Sequence, residues 1–235
     1  MRLVLIRHGQ TPSNVLGLLD TQPPGPGLTN LGLEQAAAVP AAVADQPIEM
    51  IYASTARRAQ LTAAPLALSR RLEVLIRSGV REIAAGDWEM LGHDEAVHGY
   101  LRVVGRWMAG ALHGRTPGAA GESGAEVLQR FDEVVAEVVA TGVPGAALVA
   151  HGAINRFWAS VRAGNLADEF GASHSLRNTG IVVLDGSVDK GWTALSWTGA
   201  ETTEPADGLG EAHPATETSA EEDPFDDPIP VPGQL

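Results

Sequence analysis

Leu3-Val4-Leu5-Ile6-Arg7-His8-Gly9-Gln10-Thr11-Pro12-Ser13-Asn14 decides how the rest of the chain is read. Four apolar residues run without alternation straight into Arg-His-Gly. An unbroken apolar run of this length fits a strand buried on both faces, as in a parallel sheet covered by helices. Open α/β sheets carry their ligands in the loops at the carboxyl ends of the strands. The run therefore delivers His8 to a candidate active-site edge. Beside it, Arg7 offers a planar fork of donors suited to phosphate. Gly9 permits a close approach by a ligand or by another stretch of backbone.

The pattern recurs far along the chain. Ala146-Ala147-Leu148-Val149-Ala150-His151-Gly152 is a second buried run that ends in His-Gly and leads into a helix. A third apolar run, Ile48 to Ala53, passes through Ser54-Thr55-Ala56 to Arg57-Arg58 and reads as strand, turn and helix. Ser54 or Thr55 is the expected N-cap, which would leave the helix amides near the same sheet edge. Read alone, Arg57 and Arg58 are as well explained as solvated helix residues.

Around these runs, Gly17 to Gly27 is a Pro/Gly-dense loop, and Thr29 is the expected cap of a helix that Pro40 should kink or split. Pro65 should bend the next helix, and Leu72 to Ile76 reads as a short strand. Gly121-Glu122-Ser123 opens a helix whose apolar face is Val127, Leu128, Phe131, Val134, Val135, Val138 and Val139. Ile181 to Leu184 and the alternating Trp192 to Trp197 read as two further strands. Residues 91–120 are the least regular. Tyr100 to Met108 has helical spacing, with Trp107 and Met108 taken as core rather than, with Arg102 and Arg106, as pocket lining. His93, His98 and His113 follow no metal-ligand spacing and are expected at the surface.

Composition narrows the function. The 235 residues suffice for one large α/β domain, and there is no cysteine, so disulfides, thiolate nucleophiles and cysteine-ligated metals are excluded. No apolar run has the length of a membrane span, and the N-terminal run is too short for a signal peptide, which leaves the cytoplasm as the default location. The net charge of −13 argues against nucleic acid as a partner. That charge is concentrated: residues 201–235 hold ten acidic side chains and neither Lys nor Arg. The expected organisation is a domain over 1–198 and an acidic, Pro-containing, disordered tail over 199–235.

Leu5-Ile6-Arg7-His8-Gly9-Gln10-Thr11 followed by Asn14 resembles the signature of the histidine phosphatase superfamily, which includes the cofactor-dependent phosphoglycerate mutases. The resemblance extends over roughly 1–198, through the L-T-x-x-G-x-x-Q-A stretch from Leu28, the R-A-x-x-T-A stretch from Arg58, Arg81-Glu82 with Gly86-Asp87-Trp88-Glu89, and Val149-Ala150-His151-Gly152. It implies an α/β three-layer sandwich of phosphoglycerate mutase type, with a mostly parallel central sheet and helices on both faces. It selects Arg58 over Arg57 as a phosphate ligand, makes Glu82 the proton donor and His151 a phosphate ligand beside the nucleophile His8. It also brings Asn178 towards the site. Asp87 and Glu89 are expected to be exposed and structural. Gln10, Thr11, Asn14, Gly152 and Asn178 complete the expected substrate-binding set, and a homodimer is the family-level expectation.

The chemistry that follows is metal- and cofactor-independent hydrolysis of a small phosphomonoester through phospho-His8. Arg7, Arg58 and a protonated His151 would neutralise the oxygens, and Glu82 would act as acid and then base. Two alternatives stand beside it. A mutase would use the same residues but needs a longer, more basic insertion than 91–120, and Lys190 is the only lysine. A non-catalytic binding protein would keep the scaffold alone. The short 91–120 segment implies an open, broadly specific site.

Overall fold

The computed structural model describes residues 1–167 and 170–198; the expected tail lies outside the described residues. In chain order the elements are β1 (Arg2–Arg7), α1 (Pro12–Val15), α2 (Asn30–Ala42), β2 (Met50–Ser54), α3 (Arg57–Arg70) and β3 (Val74–Arg77). They continue with α4 (Asp94–Met108), α5 (Gly124–Ala140), β4 (Gly145–Ala150), α6 (Gly152–Arg162), α7 (Phe170–Ser173), β5 (Ile181–Ser187) and β6 (Gly191–Trp197). None of the described helices is long and apolar enough to cross a membrane.

The six strands form one sheet in the order β3-β2-β4-β1-β5-β6. The first four of these run parallel; β5 is antiparallel to β1, and β6 to β5. Alternate residues of each central strand face opposite layers. Val4 and Ile6 join Ile51, Ala53, Ala147 and Val149 against α2 and α3, through Val39, Val43, Ala59, Ala63 and Leu66. Leu3 and Leu5 join Tyr52, Ala146 and Leu148 against α4, α5 and α6, through Val104, Trp107, Phe131, Val135, Phe157 and Trp158. The expected three-layer sandwich is therefore the observed one, and the unbroken apolar runs are explained by a helix layer on each face.

α2 runs through Pro40 and α3 through Pro65, so Pro40 does not split its helix. Each proline removes one N–H, a loss that the packing of both helices on the sheet outweighs. Ser54 and Thr55 do not cap α3, whose N-cap is Ala56 with no side-chain hydrogen bond. Trp107 and Met108 are buried in the core as expected, whereas Arg102 and Arg106 are exposed, so α4 turns its apolar face to the sheet and its arginines to solvent.

Candidate active site

β1 and β4 are neighbours in parallel register, with Arg7 opposite Ala150. The residues that follow each strand, His8 and His151, therefore emerge side by side at the carboxyl edge, with ring centroids 5.2 Å apart. β2 ends at the same edge with Ser54, and α3 begins there with Arg58 in its first turn. Three separate segments of sequence thus converge because their strands are adjacent in the sheet.

Hydrogen bonding assigns the ring protons. His8 Nδ1 lies 2.8 Å from the carbonyl of Gly9. A carbonyl only accepts, so Nδ1 carries the hydrogen and Nε2 keeps its lone pair. Arg58 Nε donates to His151 Nδ1 at 3.3 Å, and His151 Nε2 lies 2.8 Å from Ser54 Oγ. An arginine Nε can only donate, so His151 carries its hydrogen on Nε2 and gives it to Ser54. Burial and the neighbouring guanidiniums hold both imidazoles well below their ordinary pKa. His151 is therefore neutral in this structure. The protonated form expected from the sequence is disfavoured because the ring is fully buried beside Arg58, Arg7 and Arg130.

A cavity of about 60 Å³ opens on this cluster. Arg7, His8, Asn14, Arg58, Glu82 and Gly152 line it, together with Asp20, Arg156, Tyr100 and Leu101. Arg7 and Arg58 are almost fully buried. Arg7 Nη1 donates to Leu176 O at 2.7 Å, and Arg58 Nη2 to Asp20 O at 2.8 Å. Arg58 Nη1 has no hydrogen-bond acceptor and stands 3.6 Å from the carboxylate of Asp20, which Ser13 holds through its hydroxyl. Glu82 accepts from its own neighbour Ile83 N and from Ala153 N and Ile154 N in the first turn of α6, at 2.9, 3.1 and 2.9 Å. Burial raises its pKa, and the three amide hydrogen bonds and Arg58 oppose that rise. Arg81, next to it in the chain, pairs with Glu122.

Not every residue expected around the substrate faces the cavity. Thr11 and Asn14 form the capping box of α1, each side chain accepting from the other's backbone amide. Asn178 Nδ2 donates to His8 O and to Asn14 Oδ1, so it stands behind the cavity and orients both. Because Asn14 Oδ1 is occupied, its Nδ2 donors are the ones left for the cavity. Gln10 turns to Thr29, the N-cap of α2, accepting from its hydroxyl at 2.9 Å. Gln10, Thr11 and Asn178 thus bond to the protein itself rather than lining the cavity.

Other contributors were not anticipated. Ser54 is the partner of His151, and its signal was a polar residue closing an apolar strand at the same edge as His8. Asp20 was hidden in a loop. Tyr100 and Leu101, from the irregular region, line the cavity. Glu89 is partly buried rather than exposed, accepting from Thr21 N and Gln22 N at 2.8 and 3.0 Å and from the Thr21 hydroxyl. It thereby fastens the loop that carries Asp20. His93 and His98 are exposed; His93 caps α4, accepting from Ala96 N.

Known proteins resemble this chain in sequence and in fold. A glucosyl-3-phosphoglycerate phosphatase of Mycolicibacterium vanbaalenii is 36% identical over 171 residues, covering 65% of this chain and 70% of its own length. A PE-PGRS family protein of Mycobacterium tuberculosis is 34% identical over 209 residues, covering 83% of this chain and 36% of its own. The adenosylcobalamin/alpha-ribazole phosphatase of Escherichia coli is 40% identical over 93 residues, 40% of this chain and 45% of its own. The chain thus spans between about a third and somewhat over two thirds of the length of these curated relatives. Among solved structures, a mycobacterial glucosyl-3-phosphoglycerate phosphatase in complex with VO3 superposes with a TM-score of 0.68 at 28% identity, covering 85% of this chain and 99% of that one. The family model of the histidine phosphatase superfamily (branch 1) matches residues 3–199, from the first residues of β1 to just past the end of β6, and the chain belongs to that superfamily.

Proposed function

We propose that the chain hydrolyses phosphomonoesters of small metabolites through a phosphohistidine on His8, without a metal. The direction of the His8 ring carries this reading. Its Nδ1 hydrogen is spent on Gly9, its Nε2 lone pair is retained, and burial keeps the ring neutral on the wall of the cavity. In the first step that lone pair bonds to phosphorus while the ester P–O bond breaks. Glu82, as the acid, gives its proton to the departing oxygen, a role that its raised pKa favours. Arg7 and Arg58 meet the charge on the phosphoryl oxygens, and Asn14 adds neutral donors. In the second step the Glu82 carboxylate takes a proton from a water whose oxygen attacks phosphorus. The P–N bond breaks, His8 returns to its neutral form and inorganic phosphate leaves. His151 stays neutral and accepts from Arg58 Nε through Nδ1, which aligns that guanidinium with the phosphoryl oxygens.

The cavity of about 60 Å³ lined by Tyr100 and Leu101 supports a small ester as substrate, as do relatives named glucosyl-3-phosphoglycerate phosphatase and adenosylcobalamin/alpha-ribazole phosphatase. The test is hydrolysis of p-nitrophenyl phosphate from pH 4 to 8, with and without EDTA, by the intact chain and by His8→Ala. The expected result is activity indifferent to EDTA and a fall of at least about 10³-fold in the variant. Full activity in His8→Ala, or loss on chelation, overturns the reading. Labelling by 2,3-bisphosphoglycerate together with mutase activity would replace hydrolysis by phosphoryl transfer between positions.

A further inference from the structure

Glu82 sits on an irregular stretch, between short 3₁₀ turns at Ser78–Val80 and Gly86–Trp88. No strand or helix ladder sets the path of its backbone. Side chains set it instead. Arg130, near the middle of α5, donates from Nη1 to Gly79 O and to Arg81 O, both at 2.7 Å, and from Nη2 to Glu82 O at 3.1 Å. Glu122, just ahead of α5, accepts from Arg130 Nε at 2.9 Å and from Arg130 Nη2 at 3.1 Å. The same carboxylate accepts from Ala84 N at 3.0 Å and from Arg81 Nη2 at 2.5 Å. The pair is nearly sealed, with side chains 11% and 10% exposed, and neither residue lines the cavity.

We propose that Arg130, locked by Glu122, is the positioning residue of the candidate proton donor, holding the carbonyls at 79, 81 and 82 and the amide at 84 so that the Glu82 carboxylate meets both the first turn of α6 and the departing ester oxygen. The inference rests on the phosphatase reading and deepens it. A buried ion pair is a weak source of stability, because desolvating the two charges offsets their attraction. It is a good source of geometry, because a guanidinium is a rigid fork that fixes several acceptors at once. Proton transfer tolerates little displacement, so a shift of Glu82 acts on its chemistry before it acts on the fold.

The need for a proton depends on the leaving group. p-Nitrophenolate departs as a stable anion, whereas an alkoxide must be protonated. The value of kcat/KM reports only the steps up to phosphorylation of His8, so the second step, common to all esters, does not mask the difference. Arg130→Lys, Arg130→Gln and Glu122→Gln are compared with the intact chain on p-nitrophenyl phosphate, phenyl phosphate and glycerol 2-phosphate. Arg77→Gln serves as the control, since it breaks the exposed pair between Arg77 at the end of β3 and Glu137 of α5, with the guanidinium's contact on Tyr52, and leaves the bonds of Arg130 and Glu122 in place. In Arg130→Gln, kcat/KM for glycerol 2-phosphate should fall by at least about tenfold, a part of what a general acid contributes. The value for p-nitrophenyl phosphate should stay within about threefold, with phenyl phosphate between the two. Arg130→Lys should recover part of the difference. Circular dichroism identifies which variants are folded; if those at Arg130 are not, Glu122→Gln, which keeps an oxygen for Ala84 N, gives the same comparison with a smaller amplitude. Equal losses on all three esters in a folded variant, or no loss on any, overturn the inference and leave the phosphatase reading intact. An intact chain that hydrolyses none of the esters overturns both.

Discussion

Two imidazoles held neutral in the interior make the site sensitive to protons. His8 and His151 both have pKa values lowered by burial first and by nearby guanidiniums second. Above the ordinary histidine pKa of about 6.5, folded and unfolded chains alike leave these rings neutral, and the stability that goes with them is complete. As pH falls below that value the unfolded chain takes up two protons that the folded chain refuses. Stability should therefore fall by up to about 2.7 kcal/mol per pH unit, until the lowered folded values are reached. Urea unfolding at pH 7, 6.5, 6 and 5.5 measures the slope. His8→Asn and His151→Asn should each reduce it by about 1.4 kcal/mol per unit; an unchanged slope in both would mean that the rings are already charged in the fold. Arg7 and the two histidines of this cluster were legible because each stands at the end of an apolar run, whereas Arg58 was singled out from Arg57 by the family resemblance alone. Ser54 and Asp20 were not legible. Their parts depend on which neighbour a short polar side chain finds after the sheet has assembled, and no local pattern records that.

The elements carry the site through close backbone contact and buried polar groups. Gly32, in the first turn of α2, lies against the loop after β1; a Cβ there would stand 2.1 Å from Gln10 O. Gly9 meets Gly32 from the other side, its own Cβ position being 2.5 Å from Gly32 O. Gly32→Ala should push apart the loop that holds His8 and the start of α2, at a cost of roughly 1–3 kcal/mol. Activity should fall further than the loss of folded protein accounts for, as seen by comparing kcat with the unfolding midpoint. α6 holds the opposite case. Asn155 is fully buried, and neither its side-chain oxygen nor its nitrogen has a hydrogen-bond partner among the described residues. An unsatisfied amide in the core is expensive, so Asn155→Leu should stabilise the fold by about 1–2 kcal/mol and leave kcat unchanged; destabilisation would show that the amide is satisfied in solution. Most of the elements could be read from periodicity. α4 was the hardest, because its apolar positions Val97, Tyr100, Leu101, Val104 and Trp107 are spread among exposed polar residues and glycines. Whether Pro40 splits its helix was not legible, because a sequence shows the lost hydrogen bond but not the packing that outweighs it.

The order of the strands belongs to the whole molecule and was the least legible feature. Parallel apolar runs do not say which of them are neighbours. Only the sheet order β3-β2-β4-β1-β5-β6 explains why His8 and His151, far apart in sequence, meet. The same scale governs the division of the chain. Among the described residues the two apolar layers extend to Trp197, itself buried against Phe170. Residues 201–235 hold ten of the acidic side chains and no Lys or Arg, so that the preceding part carries a charge of only about −3. We propose that residues 1–198 fold and act alone. A chain ending at Thr198 should keep its unfolding midpoint, and at 0.15 M salt its kcat/KM, because charges beyond a Debye length of about 8 Å are screened there. At 10 mM salt that length reaches about 30 Å, and removing ten negative charges should raise kcat/KM for a dianionic ester by easing its approach. Loss of cooperative unfolding in the shortened chain would place residues 199–235 within the folding unit, and a fall in kcat/KM at both salt concentrations would place them in the reaction.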